Sequence, residues 1–285
     1  MDLLTLKDWS SEHVLEVVDK AIRIKKNPEK YSQMLNGKTL AMIFEKTSTR
    51  TRISFEAGMT QLGGHAIFVD WKTTQMGKAA LRDEIRCIDR YADIMMARVY
   101  RQETVDEMAL HAEKPVINGL SDTYHPCQIL GDLMTIKEKL GRLKGLTLAY
   151  IGDGNNVCNT LIVGCRKAGM KVNVACPEGY GPLEKPDLLT EQPGKASKGA
   201  DVVYTDTWIS MGQETEKEER LRVFPAYQVT KQLLGKALFM HCLPAYRGYE
   251  VTDEVLDSKQ SIVFDQAENR MHVQKAIMLK LLGKI

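Results

Sequence analysis

The sequence predicts an α/β protein with two doubly wound parallel-sheet domains and a cleft between them. Short apolar runs alternate with helical patterns along most of the chain, which is the order of βαβ units in a parallel sheet. A fresh strand and turn follow Gly145, which indicates a second domain. We predict that residues 1–134 form the first domain, that residues 135–265 form the second, and that a terminal helix in residues 266–285 packs back on the first.

The composition is that of an ordinary globular protein, with 285 residues, 44% hydrophobic, 27% charged and a net charge of +2. This charge balance gives no sequence-wide signal for nucleic acid or a membrane surface, and no apolar run approaches the length of a bilayer span. The opening residues lack the basic start and apolar core of a signal peptide. The six cysteines are scattered without a CxxC pair, which argues against a zinc ribbon or a disulfide framework. We therefore expect a cytoplasmic protein.

The first domain begins with a helical pattern over residues 11–26, which Ser10 or Ser11 can cap. After it, apolar strand patterns and helical patterns alternate. We predict strands at residues 39–44, 65–69, 92–99 and 115–118, and helices at residues 53–59, 82–91 and 104–112. Residues 70–78 are polar and aperiodic, which predicts a loop.

The second domain shows the same alternation. We predict strands at residues 146–151, 170–176, 201–204, 237–240 and 261–264, and helices at residues 157–168 and 252–256. A long helix at residues 129–140 leads from the first domain to this one, and a helix at residues 265–282 is the terminal one that returns to the first. Residues 177–198 are rich in glycine, proline and charge and give no clear pattern. Residues 213–222 are highly charged, which indicates a solvated helical face, and Thr252 is the expected cap of the helix that it begins.

A polar motif follows the first predicted strand, at a strand-to-helix junction. Ser48, Thr49 and Thr51 supply hydroxyls, and Arg50 and Arg52 supply guanidiniums. The N-terminus of a helix offers free backbone N–H groups and partial positive charge, and arginine presents a fork that matches phosphate. The motif therefore predicts a site for a small phosphate compound. The alternative is an ordinary capped surface helix with two solvated arginines.

Two further strand-to-helix junctions carry polar residues. His125 and Gln128 lie where a helix begins, a position at which open α/β sheets bind ligands, although a single histidine there is as often structural. The glycine-containing turn at residues 152–156 is a weak match to a dinucleotide fingerprint because the third glycine is missing. We interpret this turn as one that offers an amide, from Asn155 or Asn156, to a polar ligand.

The polar residues that follow predicted strands would share one edge of each sheet, where α/β enzymes build their sites. They are Ser48, Thr49, Arg50, Thr51, Arg52, Arg98, His125, Gln128, Asn156, Asp206, Ser210 and Cys242. The first domain contributes cations and hydrogen-bond donors, whereas the second contributes an amide, a carboxylate, a hydroxyl and a thiol. This division points to the transfer of a group from a phosphate compound to an amino compound.

Four separated motifs also carry a resemblance. They are Ser48-Thr49-Arg50-Thr51-Arg52, His125-Pro126-Cys127-Gln128, Ser210-Met211-Gly212 and His241-Cys242-Leu243-Pro244. In this order they resemble the signatures of the aspartate/ornithine carbamoyltransferase family over nearly the whole chain, and the last two resemble its ornithine branch. The resemblance implies conversion of carbamoyl phosphate and L-ornithine to L-citrulline and phosphate, in arginine biosynthesis and amino-acid metabolism, with no metal or cofactor.

The resemblance assigns the first domain to carbamoyl phosphate. The implied ligands are Ser48, Thr49, Arg50, Thr51, Arg98, His125, Gln128 and Arg270. Among them, His125 and Gln128 would hold the carbamoyl oxygen and nitrogen, and Arg270 would contact the carbamoyl group. Gln75 matches a family glutamine that reaches the site of a neighbouring subunit, which implies a homotrimer with shared active sites.

The resemblance assigns the second domain to ornithine. The implied ligands are Asn156, Asp206, Ser210 and Met211, with Cys242 and Leu243 between the two substrates. The δ-amine must be neutral to attack, although its free pKa is about 10, so Asp206 and Cys242 would orient it and assist its proton loss. Arg98 and His125 would act as catalytic residues by stabilising charge on the carbamoyl oxygen and the leaving phosphate. Cys242 is expected to be a polar site residue, the alternative being a small buried hydrophobe.

One departure from the family is that residues 180–201 form a shorter stretch than is usual there, which predicts that a helix and part of a strand are trimmed or absent. Three other functions compete with the implied one. The acceptor could be another amine, such as putrescine or a modified ornithine. The second domain could bind a dinucleotide in an oxidoreductase, against which the missing glycine argues. The scaffold could be a non-catalytic binding protein, against which the intact site residues argue.

Overall fold

A computed structural model describes residues 1–209 and 214–285, and the chain divides into two compact units. Unit 1 comprises Met1–Met134 and Glu268–Ile285, and unit 2 comprises Thr135–Ala267. Among the described residues, the strands of both sheets pair in parallel, which confirms the predicted α/β class. The predicted site residues Ser210 and Met211 lie outside the described residues.

Unit 1 is built on a four-stranded sheet. Its strands are β1 (Thr39–Phe44), β2 (His65–Asp70), β3 (Ile94–Arg98) and β4 (Val116–Leu120). They lie in the order β2-β1-β3-β4, so β1 and β3 are central. The last residues of these two strands, Phe44 and Arg98, are in register. The carboxyl ends of the central strands therefore meet at one edge, which is where the polar motif begins.

Helices pack on this sheet and join it to the rest of the chain. They are α1 (Ser11–Lys26), α2 (Thr49–Gln61), α3 (Leu81–Ile88), α4 (Gln102–His111) and α5 (Pro126–Leu140). The predicted bounds of α1 are confirmed, and the Ser10 hydroxyl caps the helix by accepting the His13 N–H at 3.1 Å. The returning segment Glu268–Ile285 packs against α2, where Lys275 donates a hydrogen bond to Gln61.

Unit 2 is built on a five-stranded sheet. Its strands are β5 (Thr147–Ile151), β6 (Lys171–Ala175), β7 (Leu188–Thr190), β8 (Val202–Thr205) and β9 (Leu238–His241), in the order β7-β6-β5-β8-β9. The helices are α6 (Asn156–Lys167), α7 (Pro193–Ser197), α8 (Lys217–Val223), α9 (Lys231–Leu234) and α10 (Asp253–Leu256). The last helix, α11 (Val263–Leu281), begins in unit 2 and from Glu268 onward belongs to unit 1. Residues 176–187 form neither helix nor strand, and in the stretch that was predicted to be trimmed β7 has three residues and α7 has five.

One expectation for unit 2 is wrong, and two others are confirmed only in part. Residues 261–264 are not a strand, because Ser261 makes only an isolated bridge to Phe239 and α11 begins at Val263. A short apolar run cannot be assigned to helix or strand by periodicity alone. Thr252 is the N-cap residue of α10, as predicted, although its side chain makes no capping hydrogen bond. In the charged stretch, residues 215–219 and Arg222 are exposed, as predicted, whereas Arg220 is buried and Gln213 lies outside the described residues.

In the part of the chain that the structure describes, no helix combines the length and the apolar character needed to cross a bilayer.

Candidate active site

The polar motif of unit 1 starts the helix α2. Ser48 is the N-cap, and its hydroxyl oxygen accepts the Thr51 N–H at 3.3 Å. The backbone carbonyl of Arg98 accepts the N–H groups of Glu45 and Lys46, at 2.9 and 3.4 Å. The loop that enters α2 is therefore tied to the end of β3, and the first turn of the helix presents backbone N–H groups suited to an anion.

The two arginines of the motif have different surroundings. Arg52 is exposed, its Nε donates to Glu56 Oε1 at 2.9 Å, and its guanidinium carbon lies 3.8 Å from the centroid of the Phe68 ring. The expectation that Arg52 would face a phosphate together with Arg50 is therefore wrong. Arg50 is half-buried and lies close enough to His125 for its charge to act on that imidazole.

Three guanidiniums, which we call the guanidinium cluster, lie close enough to His125, at this edge of unit 1, for their charges to act on its imidazole. Burial holds the pKa of His125 well below its usual range, and the charges of Arg270, Arg98 and Arg50 lower it further. Arg98 ends β3, whereas Arg270 comes from α11 and donates from Nη2 to the Thr51 hydroxyl at 3.0 Å. The concentration of positive charge beside a helix N-terminus favours a small anion.

Gln128 adds a directed acceptor to the same edge. It lies in the first turn of α5, is 1% exposed, and donates from Nε2 to Asp132 Oδ1 at 2.9 Å. Within residues 1–209 and 214–285, its Oε1 is buried without a hydrogen-bond partner. A buried carbonyl left unpaired is costly, so this atom is suited to a ligand N–H.

Gln75 is not joined to this cluster. It is exposed in the loop after the 3₁₀ helix Trp71–Thr73, where its carbonyl accepts the Lys78 N–H at 3.1 Å. No hydrogen bond connects its side chain to the guanidinium cluster among the residues that the structure describes.

In unit 2, Asp206 gathers the polar groups. It follows β8, is 6% exposed, and accepts hydrogen bonds on both oxygens. The Cys242 thiol donates to Oδ1 at 2.9 Å, and Asn155 Nδ2 donates to Oδ2 at 2.8 Å. The Thr207 N–H also donates to Oδ1, at 2.8 Å. The ends of β8 and β9 and the turn after β5 thus converge on one carboxylate.

The two asparagines of that turn have different roles, which the sequence left open. Asn155 is the N-cap of α6, and its Oδ1 accepts the N–H groups of Val157 and Cys158 at 3.0 and 3.1 Å. Its amide is therefore committed to the fold and to Asp206. Asn156 is the first residue of α6 and is half-buried. The signal for the role of Asn155 was its place before an apolar helix, where asparagine is a favoured cap.

The backbone around Cys242 is held by a buried pair that the sequence analysis did not assign. The Leu243 N–H donates to His241 Nδ1 at 2.8 Å, so the proton of the neutral ring is on Nε2, which lies 3.1 Å from Glu250 Oε1. Both side chains are fully buried. Leu243 has a φ of 59°, the left-handed region that L side chains rarely adopt, and the His241 contact supports it. Glu250 was missed because it follows a segment with a surface-like sequence.

Three side chains of this region could together approach a metal ion. Donor atoms of Asp206, His241 and Cys242 lie within 4.8 Å of one another. Each is already engaged, because the thiol donates to the carboxylate and both ring nitrogens of His241 have partners. We therefore assign these groups to a hydrogen-bond network and not to a cation.

Comparison with known proteins gives matches over both units. Residues 1–138 match the family model described as aspartate/ornithine carbamoyltransferase, carbamoyl-P binding domain, and residues 144–281 match that of the Asp/Orn binding domain. The ornithine carbamoyltransferase of Bacillus subtilis is 49% identical over 99% of this chain and 94% of its own. A Pyrococcus furiosus relative named ornithine carbamoyltransferase, anabolic, is 48% identical over 100% and 97%. A solved structure of ornithine carbamoyltransferase from Pyrococcus furiosus matches with a TM-score of 0.94 and 47% identity, over 100% of this chain and 97% of that one.

Proposed function

The chain belongs to the aspartate/ornithine carbamoyltransferase family, and we propose that it transfers the carbamoyl group of carbamoyl phosphate to the δ-amine of L-ornithine, giving L-citrulline and phosphate. The acceptor follows from relatives that are named for ornithine and match the whole chain. The observation that carries the donor half is the guanidinium cluster around a neutral His125 in unit 1.

Carbamoyl phosphate would bind at the N-terminus of α2. The phosphate would accept hydrogen bonds from the first-turn N–H groups and from the side chains Ser48, Thr49, Arg50, Thr51 and Arg98. The carbamoyl nitrogen would donate to Gln128 Oε1, the buried acceptor described above. The carbamoyl oxygen would lie toward His125 and Arg270. A neutral imidazole can donate to this oxygen without adding a fourth positive charge to three guanidiniums.

Ornithine would bind to unit 2 through Asn156, Asp206, Ser210 and Met211, with Cys242 and Leu243 beside its δ-amine. The neutral δ-nitrogen attacks the carbamoyl carbon, the C–O bond to phosphate breaks, and its electron pair leaves with the phosphate. Asp206 would orient the amine and assist the loss of its proton, which passes to the departing phosphate so that the products are citrulline and hydrogen phosphate. Cys242 donates its hydrogen to Asp206 and is therefore a thiol that shapes the site and not a covalent nucleophile.

The barrier falls mainly through positioning and charge stabilisation. Carbamoyl phosphate is already activated, so the chemistry asks only that the amine meet the carbonyl carbon and that the developing oxyanion be stabilised. Arg98, His125 and Arg270 are the groups that would supply this stabilisation. This transfer requires neither a metal nor a cofactor.

Three finer points belong to the same proposal. The direction would be citrulline synthesis in arginine biosynthesis, supported by the anabolic relative. The location would be cytoplasmic, supported by six free cysteines. The assembly would be a homotrimer with shared active sites, supported by the exposed position of Gln75. Because Gln75 is exposed and makes no described hydrogen bond to the cluster of its own subunit, its side chain would be available to a neighbouring subunit.

The acceptor is tested by offering ornithine, putrescine, lysine and aspartate in parallel, with carbamoyl phosphate, and measuring the carbamoylated product by mass spectrometry. Product with ornithine alone is expected. Asp206→Asn should weaken the reaction with ornithine while carbamoyl phosphate binding is retained, because the substitution removes a hydrogen-bonded carboxylate from unit 2 and changes nothing in unit 1. Product with another amine and none with ornithine would overturn the acceptor assignment, and equal weakening of both substrates by Asp206→Asn would make Asp206 structural.

A further inference from the structure

Arg220 of α8 is a buried arginine that no step above uses. Its Nη1 donates to Asp153 Oδ2 and to the Trp208 carbonyl oxygen, each at 2.9 Å. Its Nε donates to Glu216 Oε2 at 2.8 Å, and its guanidinium carbon lies 5.1 Å from the centroid of the Tyr180 ring. The side chains of Arg220 and Asp153 are 5% and 8% exposed. A single guanidinium nitrogen therefore joins two separate stretches of backbone inside unit 2.

Those two stretches carry the groups that would orient ornithine. Asp153 precedes Asn155 by two residues, and Trp208 follows Asp206 by two residues. Asn155 and Asp206 are themselves hydrogen-bonded at 2.8 Å. The turn after β5 and the segment after β8 are thus tied twice, once between these two residues and once through Arg220.

Neither stretch has much room to adopt another position. A Cβ on Gly154 would lie 2.3 Å from the Pro182 nitrogen, and the Gly154 N–H donates to the Tyr180 carbonyl at 2.9 Å. Trp208 is 3% exposed and stacks on the rings of Phe224 and Tyr249, with centroids 5.8 and 6.3 Å away. Arg220 therefore lies in a tightly packed region, where a small shift of its guanidinium would move both stretches.

We propose that Arg220 is a positioning residue for the amine half of the reaction. By holding Asp153 and the Trp208 carbonyl together, it sets the separation of Asn155 and Asp206, and through Asp206 the placement of the Cys242 thiol. A buried ion pair contributes little net stability, because desolvation of both charges offsets their attraction. Its value here is the geometry that it imposes. The inference rests on the proposed function for the identity of the ligand as ornithine. The hydrogen-bonded link between the two stretches through Arg220 does not depend on that function.

The kinetic test compares two arginines of the same helix. Arg220→Met keeps the aliphatic stem and removes the donors, whereas Arg222→Met makes the same change at an exposed position of α8. Arg220→Met should raise the KM for ornithine by about 10- to 100-fold and leave the KM for carbamoyl phosphate within about twofold. Arg222→Met should change neither. Arg220→Lys should recover part of the loss, because the charge beside Asp153 is kept while the fork is lost.

A second readout needs no activity. The fluorescence of Trp208, taken as the difference between each protein and its Trp208→Phe version, reports the segment that Arg220 holds. In Arg220→Met we expect a shift to longer wavelength and easier quenching by acrylamide, and in Arg222→Met no change. If Arg220→Met does not fold, Asp153→Ala removes the acceptor of the same hydrogen bond from the other side and should give the same two results.

The outcomes separate the inference from the proposed function. A wild-type protein that forms no citrulline would refute the function, and the Trp208 fluorescence would still decide the tie. Unchanged fluorescence in Arg220→Met and Asp153→Ala would overturn the inference. So would a loss shared equally between ornithine and carbamoyl phosphate, because a merely structural residue would affect both.

Discussion

Arg50 and Arg52 show how much one residue's surroundings decide. They stand two positions apart in the first turns of α2, yet Arg52 pairs with Glu56 and stacks on Phe68 while Arg50 lies toward His125. A side chain already engaged at the surface has little to offer a ligand. The sequence motif contains both arginines, but only Arg50 is proposed to bind the phosphate.

The pair makes a matched test of the phosphate site. Arg50→Ala should lower the affinity for carbamoyl phosphate by at least about 100-fold, because a charge-assisted contact is lost and the anion is left without its partner. Arg52→Ala is the control and should change the affinity by less than about threefold, since exposed ion pairs contribute little. Isothermal calorimetry measures both. Equal losses in the two variants would show that the helix, and not the Arg50 contact, had been damaged.

His125 predicts a pH dependence of stability with a definite sign. Burial and three guanidiniums hold its pKa well below the usual range, so the unfolded chain takes up a proton at a pH where the folded protein does not. The free energy of unfolding should therefore fall below about pH 6.5, by up to about 1.4 kcal/mol per pH unit from this group. Above that pH both states are neutral and the group has no effect.

His125→Gln should remove this part of the dependence. Urea unfolding of both proteins at several pH values between about 7 and 5 gives the difference directly. The pKa of His272 is also lowered, but His272 is present in both proteins and cancels. Parallel curves for wild type and variant would mean that His125 is not held neutral.

At the scale of the element, the turn into α6 combines two tasks in one side chain. Asn155 caps the helix through its oxygen and holds Asp206 through its nitrogen. A cap is a requirement of the fold, because the first N–H groups of a helix need acceptors. The same requirement places a rigid donor against the carboxylate of the candidate site.

Substitutions can separate the two tasks. Asn155→Ala should lose both, with about 1 kcal/mol of stability and a raised KM for ornithine. Asn155→Ser retains a capping oxygen and should lose only the contact to Asp206, so its stability should stay within a few tenths of a kcal/mol of wild type. Thermal unfolding and ornithine kinetics measure the two effects. A serine variant as unstable as the alanine variant would show that the tasks cannot be divided.

Periodicity predicted the regular elements because their cause is local. The helix at residues 11–26 and the parallel strands follow from apolar spacing and a capping serine, and the structure confirms them. Residues 261–264 failed because a short apolar run fits both a strand and the first turn of a helix. The failures lie where the local pattern is short or where tertiary contacts decide.

The same division applies to the candidate site. Residues at strand ends were found because topology alone brings them to one edge of each sheet. The burial of Arg220 was missed because a run of charge is usually a solvated face, and its partner Asp153 is 67 positions away. Glu250 was missed for the same reason, since only the folded chain shows it against His241. Pairings of this kind cannot be read from spacing.

At the scale of the whole molecule, the proposed trimer makes a test by subunit mixing. Gln75→Ala and Arg50→Ala should each inactivate the protein. The first removes a side chain from the neighbouring subunit's site, and the second removes a phosphate ligand from the subunit's own site. Dissociation and reassembly of an equal mixture should restore roughly a quarter of the wild-type sites. A site is intact when its own subunit carries Arg50 and the neighbouring subunit carries Gln75, and random mixing gives this combination at about one interface in four. No recovery, with trimers confirmed by light scattering, would refute shared sites.

The central claim is that carbamoyl transfer and phosphate release are one event on this chain. The most direct measurement follows citrulline and phosphate in the same reaction of the purified protein with carbamoyl phosphate and L-ornithine. The account predicts equal amounts of the two products at every time point, and no phosphate above the spontaneous rate when ornithine is omitted. Phosphate released without citrulline would contradict it, because the protein would then be hydrolysing carbamoyl phosphate and not transferring its carbamoyl group.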